Sequence, residues 1–206
     1  GRVVPVSAVA SNLYAELEDS SLIRGEHAIE EPTGTRTSIR RCFLRPSVAA
    51  NPDAITAIEQ ADLIVLGPGD LYTSIIPVLL VDGIAEALAR SRAPLIYVLN
   101  LVTKKGQTDG YTASNYCHAI ERYLHPASLH AVLVNNSPLP PSTRERYEAM
   151  GEFAVPDDLP SYADFGIYRE DLLASEEARE TPGDPLPRSL LRHDPDKLAQ
   201  AVLRLL

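Results

Sequence analysis

Leu63-Ile64-Val65-Leu66-Gly67-Pro68-Gly69-Asp70-Leu71-Tyr72-Thr73-Ser74 begins as an all-apolar run and breaks into two glycines, a proline and a row of polar residues. Four apolar residues without alternation fit a strand covered on both faces, as strands of a parallel sheet are. Gly67-Pro68-Gly69 ends it. Upstream, Asn51-Pro52 is a helix entry, an N-cap followed by proline in the first turn, with Ile55, Ile58 and Ala61 at helical spacing. Downstream the pattern predicts a helix over 82–90, a strand over 95–99, a polar loop over 100–111, a helix from Thr112 and a strand over 131–134. Strands alternating with amphipathic helices predict crossover units, hence an α/β fold around a mostly parallel sheet.

Outward from this unit the grammar changes. Residues 1–45 read as strand-rich. Val3 to Val6 are apolar, Leu13, Ala15 and Leu17 alternate with Tyr14 and Glu16, Leu22 to Ile29 can return as a second hairpin arm, and Ile39 to Leu44 form a third extended run. Residues 32–38 read as a loop. Beyond Asn135, Ser142-Thr143-Arg144-Glu145 has the form of a capping box, 156–161 and 176–188 read as exposed loops, and Asp194-Pro195 opens a terminal helix carrying Leu198, Val202 and Leu205. No inter-domain linker stands out, so 1–206 is expected to be a single domain.

The chain has 19 basic against 28 acidic residues, a net charge of -9, which argues against a generic nucleic-acid or anionic-membrane partner. The longest apolar runs, such as Ile75 to Val81, fall far short of the ~20 residues of a membrane span, and no signal-peptide plan opens the sequence. A cytoplasmic protein without membrane insertion is expected. Cys42 and Cys117 lie in apolar surroundings far apart in sequence and read as free, buried thiols.

Loops at the carboxyl ends of parallel strands are where ligands bind in open α/β sheets. Gly67 and Gly69 would let backbone N–H groups approach a ligand, and Thr73 and Ser74 could donate to phosphate oxygens. The stretch reads equally as an anion site or as a plain tight turn. Asp70 adds a negative charge that would have to face a ribose, a metal or solvent. The second loop, Asn100 to Ser114, should lie on the same rim, with Lys104 and Lys105 as cations and Asn100, Thr103, Asp109 and Thr112 as hydrogen-bonding groups. Its plain alternative makes Thr112 a helix N-cap and leaves the lysines solvated. Glu16, Glu18, Asp19 and Glu26 fit a solvated strand face, while Arg24, Arg36, Arg40 and Arg41 suit either a phosphate clamp or pairing with those acids. The five histidines show no metal-binding spacing and no serine sits in a nucleophile-elbow motif, so neither a metal ligand nor a catalytic residue is assigned.

On these two loops, with GRVVPVS at 1–7 and AELEDSSLIRGEHAI at 15–29, the sequence resembles the gluconeogenesis factor (YvcK-like) branch of the group that includes 2-phospho-L-lactate transferase, CofD. The likeness spans nearly the whole chain. It implies a Rossmann-like three-layer α/β fold and a regulator of carbon flux, cell-wall synthesis and cell shape that binds a UDP-sugar. Gly67, Pro68, Gly69, Asp70, Tyr72, Thr73 and Ser74 would form that nucleotide-sugar site with Asn100, Thr103, Lys104 and Asp109. An alternative is a phospholactyl transferase, which would use magnesium; another is an assembly module that binds no small molecule. The family usually has serine at Asp70, Gln-Pro at Lys104-Lys105 and Asp-His at Asn115-Tyr116. Its glycine-rich loop and acidic Asp-Asp-Gly-Gly segment, expected upstream of Gly1, are not in this sequence. The resemblance therefore reads the chain as N-terminally truncated relative to the family, with a homo-oligomer expected to cover the exposed edges.

Overall fold

The computed structural model describes residues 1–31, 34–161, 163–175 and 190–206. Its centre is a parallel sheet of β4 (Ile64–Leu66), β5 (Leu95–Val98), β6 (Ala131–Asn135) and β7 (Gly166–Glu170), hydrogen-bonded in that order. The pleat sends alternate residues to opposite faces. Ile96, Val98 and Leu133 point to one face, where Leu172, Ala201 and Leu198 cover them, the last two from α7 (Pro195–Leu203). Tyr97, Val132 and Val134 point to the other, against Tyr116, Cys117, Ile120 and Leu124 of α5 (Ala113–Leu124). The result is a Rossmann-like layered α/β arrangement, with each fully buried aliphatic side chain contributing about 1.5–3 kcal/mol.

A second sheet, antiparallel in the order β2–β1–β3, joins β1 (Asn12–Leu17), β2 (Leu22–Arg24) and β3 (Ile39–Arg45). Leu13, Ala15, Leu17, Ile39 and Cys42 on its inner face enter the same core as α5. Near its carboxyl end, α5 is fastened to β3, since the Tyr123 hydroxyl accepts the Cys42 N–H at 2.8 Å and Arg122 donates to the Arg40 carbonyl at 3.2 Å. Arg36 also spans the molecule, its guanidinium donating to the carbonyls of Ala28, Ile29 and Gly106.

Several expectations shift. The Leu22-to-Ile29 arm is a strand only as far as Arg24. Gly25, at φ 93°, turns the chain into the short helix α1 (Glu26–Glu30), which tucks Ile29 into the core. Residues 3–6 form no strand; the Val6 carbonyl instead accepts the Asn51 N–H, at the entrance to α2 (Pro52–Glu59). Ile75 to Val81 starts on the last residue of a π-helical turn (Leu71–Ile75), runs through α3 (Ile76–Leu79) and ends two residues past it. Helix α4 (Ile84–Arg90) begins two residues later than expected, because Asp82 is held by Ser47 and by a bridge to Ala49, and Gly83 turns at φ 98°. Helix α6 (Pro141–Met150) starts ahead of Ser142, so the capping-box residues lie inside it. Strand β7 went unread because its residues are half-buried or exposed and carry neither an apolar run nor alternation. The loop expected over 176–188 lies outside the described residues, as do Pro32 and Thr33 of the earlier one.

Candidate functional site

Because β4, β5 and β6 run parallel, the segments leaving their carboxyl ends share one edge of the sheet, and two of them touch. The Asn100 side chain donates from Nδ2 to the Gly69 carbonyl at 2.9 Å, while its Oδ1 accepts the Tyr97 hydroxyl at 2.9 Å. Tyr97 is fully buried in β5, so this pair pins the loop after β5 to the loop after β4. Beside it a cavity of about 160 Å³ opens between the ends of β5 and β6, lined by Leu99, Asn100, Asn135, Ser137, Pro138 and Val155 among others. Asn135 and Ser137 were not singled out from the sequence, although polar residues directly after an apolar strand are the signal that picked out Asn100. Their side chains are already engaged. Asn135 donates to the Ser137 carbonyl at 2.8 Å and accepts the Leu172 N–H at 3.0 Å, and Ser137 Oγ donates to Asp171 at 2.6 Å.

The first loop is not held open by unusual backbone angles. Neither Gly67 nor Gly69 has a positive φ. Gly67 and Pro68 are exposed on the turn out of β4. At Gly69 the requirement is close approach, since a Cβ there would lie 3.3 Å from Ser74 Cβ. Asp70 sits before the π-helical turn, its carbonyl accepting the N–H groups of Ser74 and Ile75 at 2.8 and 3.2 Å. Burial pushes the Asp70 carboxyl up; Lys104 opposes this, while Glu30 and Glu152 reinforce it. Tyr72 turns into the core, its hydroxyl 2.6 Å from that of Tyr111, and burial raises it well above an ordinary phenol. Thr73 is buried, its Oγ1 without a hydrogen-bond partner among the described residues, and Ser74 is exposed. In the first turn, the N–H groups of Leu71, Tyr72 and Thr73 lack intrahelical acceptors, as at any helix start.

In the second loop Thr103 is committed elsewhere. Its N–H donates to the Phe153 carbonyl at 2.7 Å and its Oγ1 accepts the Phe153 N–H at 2.9 Å. Lys104 pairs with Glu152 at 3.5 Å, and the exposed Asp109 accepts the Gly106 N–H at 2.7 Å. The geometry thus joins Gly69 to Asn100 and puts Asp70 in the field of Lys104, whereas Thr103 and Asp109 brace their own loop. Thr112 is the N-cap of α5 in a reciprocal box with Asn115, and Asp158 accepts the Ser114 N–H and hydroxyl at 2.8 and 2.7 Å. A carboxylate thus occupies that helix start.

Gln107, in the same loop, is 2% exposed, and among the described residues neither of its amide atoms has a hydrogen-bond partner. An unpaired buried amide costs about 1–3 kcal/mol. Gln107→Met is therefore expected to raise Tm, by about 2–4 °C for each kcal/mol relieved. A fall in Tm on thermal denaturation would show that the amide is satisfied in solution.

Both thiols are free and buried, and desolvation pushes each up to about 12, leaving no thiolate for nucleophilic chemistry at neutral pH. Arg40 and Arg41 pair with Glu16, and Arg36 with backbone carbonyls, so these three form no phosphate clamp. Among the described residues no helix is long and apolar enough to cross a membrane, and no group of three or more His, Cys, Asp or Glu is placed to hold a metal ion.

Residues 1–172 match the family model described as 2-phospho-L-lactate transferase CofD. Over its full length the chain is 32% identical to the gluconeogenesis factor of Bacillus subtilis and 38% identical to the putative gluconeogenesis factor of Deinococcus radiodurans. It spans 62% and 41% of those two proteins. A solved structure of a Bacillus halodurans protein, described as a member of the UPF0052 family, superposes with a TM-score of 0.85 at 31% identity, over 98% of this chain and 61% of that one. By the family match over residues 1–172 and by these relatives, this chain belongs to the CofD family and is similar to proteins named gluconeogenesis factor.

Proposed function

We propose that this chain supplies part of a nucleotide-sugar site in a regulator of carbon flux and cell-wall synthesis, and that its ligand is a UDP-sugar. The observation that carries the reading is the Asn100–Gly69 hydrogen bond, which draws two polar loops together over the carboxyl ends of adjacent parallel strands. The buried Thr73 hydroxyl and the first-turn N–H groups of 71–73 provide donors for diphosphate oxygens without a dedicated cation, as suits a protein of net charge -9. Relatives at 31–38% identity named as gluconeogenesis factors support regulation over turnover.

The family description also favours a second reading, a phospholactyl transferase. One pair of measurements separates them. Calorimetry with UDP-N-acetylglucosamine is expected to give saturable heat. A dissociation constant weaker than about 1 mM, equivalent to roughly -4 kcal/mol, would defeat the sugar reading. Magnesium, a 2-phospho-L-lactate dinucleotide donor and a deazaflavin acceptor are expected to yield no product, and turnover would establish the transferase instead.

A further inference from the structure

The antiparallel sheet buries one face and leaves the other uncovered by any described helix. Tyr14 stands opposite Arg24 on one side and Phe43 on the other, Glu16 opposite Arg41, and Asn12 opposite Arg45. Directly paired residues share a face. The Tyr14 and Phe43 rings stack, with centroids 5.5 Å apart and planes within 7°. The Arg45 guanidinium lies 4.8 Å from the Phe43 centroid and 5.7 Å from that of Tyr14, and Arg41 lies 5.5 Å from Phe43. Glu16 is held by Arg41 at 2.6 Å and Arg40 at 3.4 Å. Arg24 and Arg45 are exposed and, among the described residues, make no ion pair. In a chain of net charge -9, four arginines against Glu16 and the neighbouring Glu18 leave this face with a local excess of positive charge.

We propose that this face docks an acidic segment of a partner protein through Arg24 and Arg45. Guanidinium is the cation suited to bidentate carboxylates, and Arg45 already lies over two aromatic rings, so less side-chain freedom is lost on binding. Those rings have arginines over them, which denies nucleobases the stacking platform that single-stranded nucleic acid uses, and a long polyanion would run onto a surface of like charge. Size limits the partner. Strands of about 3.4 Å per residue spaced about 4.8 Å apart make a face roughly 20 by 10 Å, well under the ~800 Å² that each partner commits to a domain interface. It suits one extended stretch with carboxylates two to four residues apart. Leu22, 53% exposed and paired with Glu16, gives that stretch an apolar neighbour.

Fluorescence anisotropy of the full chain with fluorescein-labelled hexaglutamate tests the assignment. Saturable binding is expected, weakened by salt and absent for hexaglutamine. Replacing Arg24→Gln together with Arg45→Gln is expected to weaken it at least about tenfold, the size usual for losing a charged contact, with only a small fall in Tm because both side chains are exposed and just the contact of Arg45 with the two rings is lost. Arg45→Lys, which keeps the charge but not the planar fork, should fall between. No binding, or equal binding by the double variant, overturns the proposal. So does tighter binding of hexathymidylate or of phosphatidylserine vesicles, or a self-association in light scattering that the double variant abolishes.

Discussion

Asn100→Ala is expected to destabilise the protein by about 3 kcal/mol, more than a surface substitution does, because it leaves the hydroxyl of the buried Tyr97 and the half-buried Gly69 carbonyl without partners at once. The Tyr97 hydroxyl, on a fully buried ring, loses its acceptor, and the Gly69 carbonyl loses its donor. For a chain of this size that is a fall in Tm on the order of 6–12 °C. Adding Tyr97→Phe to the variant removes the orphaned hydroxyl and should restore part of the loss, a coupling that a double-mutant cycle measures directly. UDP-N-acetylglucosamine binding should weaken at least about tenfold, since the two loops are no longer held in register. An unchanged Tm would mean that the loops are placed by something other than this side chain.

Mild acid is expected to destabilise the protein through one histidine. Burial lowers His193 from 6.5 to about 4, against a hydrogen bond to the Leu99 carbonyl that favours the charged ring, and among the described residues its buried Nε2 has no partner. The folded state therefore prefers the neutral ring. Above pH 6.5 neither state is protonated and stability is full. Between 6.5 and about 4 the unfolded chain takes up a proton that the folded one refuses, and below about 4 the loss levels off. The total is about 3 kcal/mol at 1.36 kcal/mol per pH unit. His193→Gln should flatten urea midpoints across that window. If wild type and variant lose stability in parallel, His193 is not the group responsible. Leu99 adjoins Asn100, so acid and Asn100→Ala act on the same corner of the sheet.

The parallel half of the fold could be read because its signals are local. Asn51-Pro52 and Asp194-Pro195 announce helix starts, and the apolar runs after Ala61, Pro94 and His130 need no partner to be recognised as strands. Strand β7 and helix α1 could not be read in the same way. The first takes its identity from pairing with β6, and the second is made by Gly25 turning the chain and by burial of Ile29. The site divides similarly. That residues after β4 and β5 share a rim follows from strand direction, but which of them are available is decided at long range. Thr103 is claimed by Phe153, fifty residues away, while Asn100 is left to reach Gly69. Local chemistry marks a polar residue as a candidate without showing what already holds it.

Helix α5 gives the two ends of the molecule a common lever. Its twelve residues make a strut of about 18 Å, with the polar loop entering at Thr112 and strand β3 bolted near the far end through Tyr123 and Arg122. A strut tied at both extremities tilts as a whole. Were the proposed ligand to shift the Thr112 end, the strand bearing Arg41, Phe43 and Arg45 would be expected to feel it, and any such coupling would be reciprocal, with occupancy of the arginines altering affinity in the crevice by the same factor.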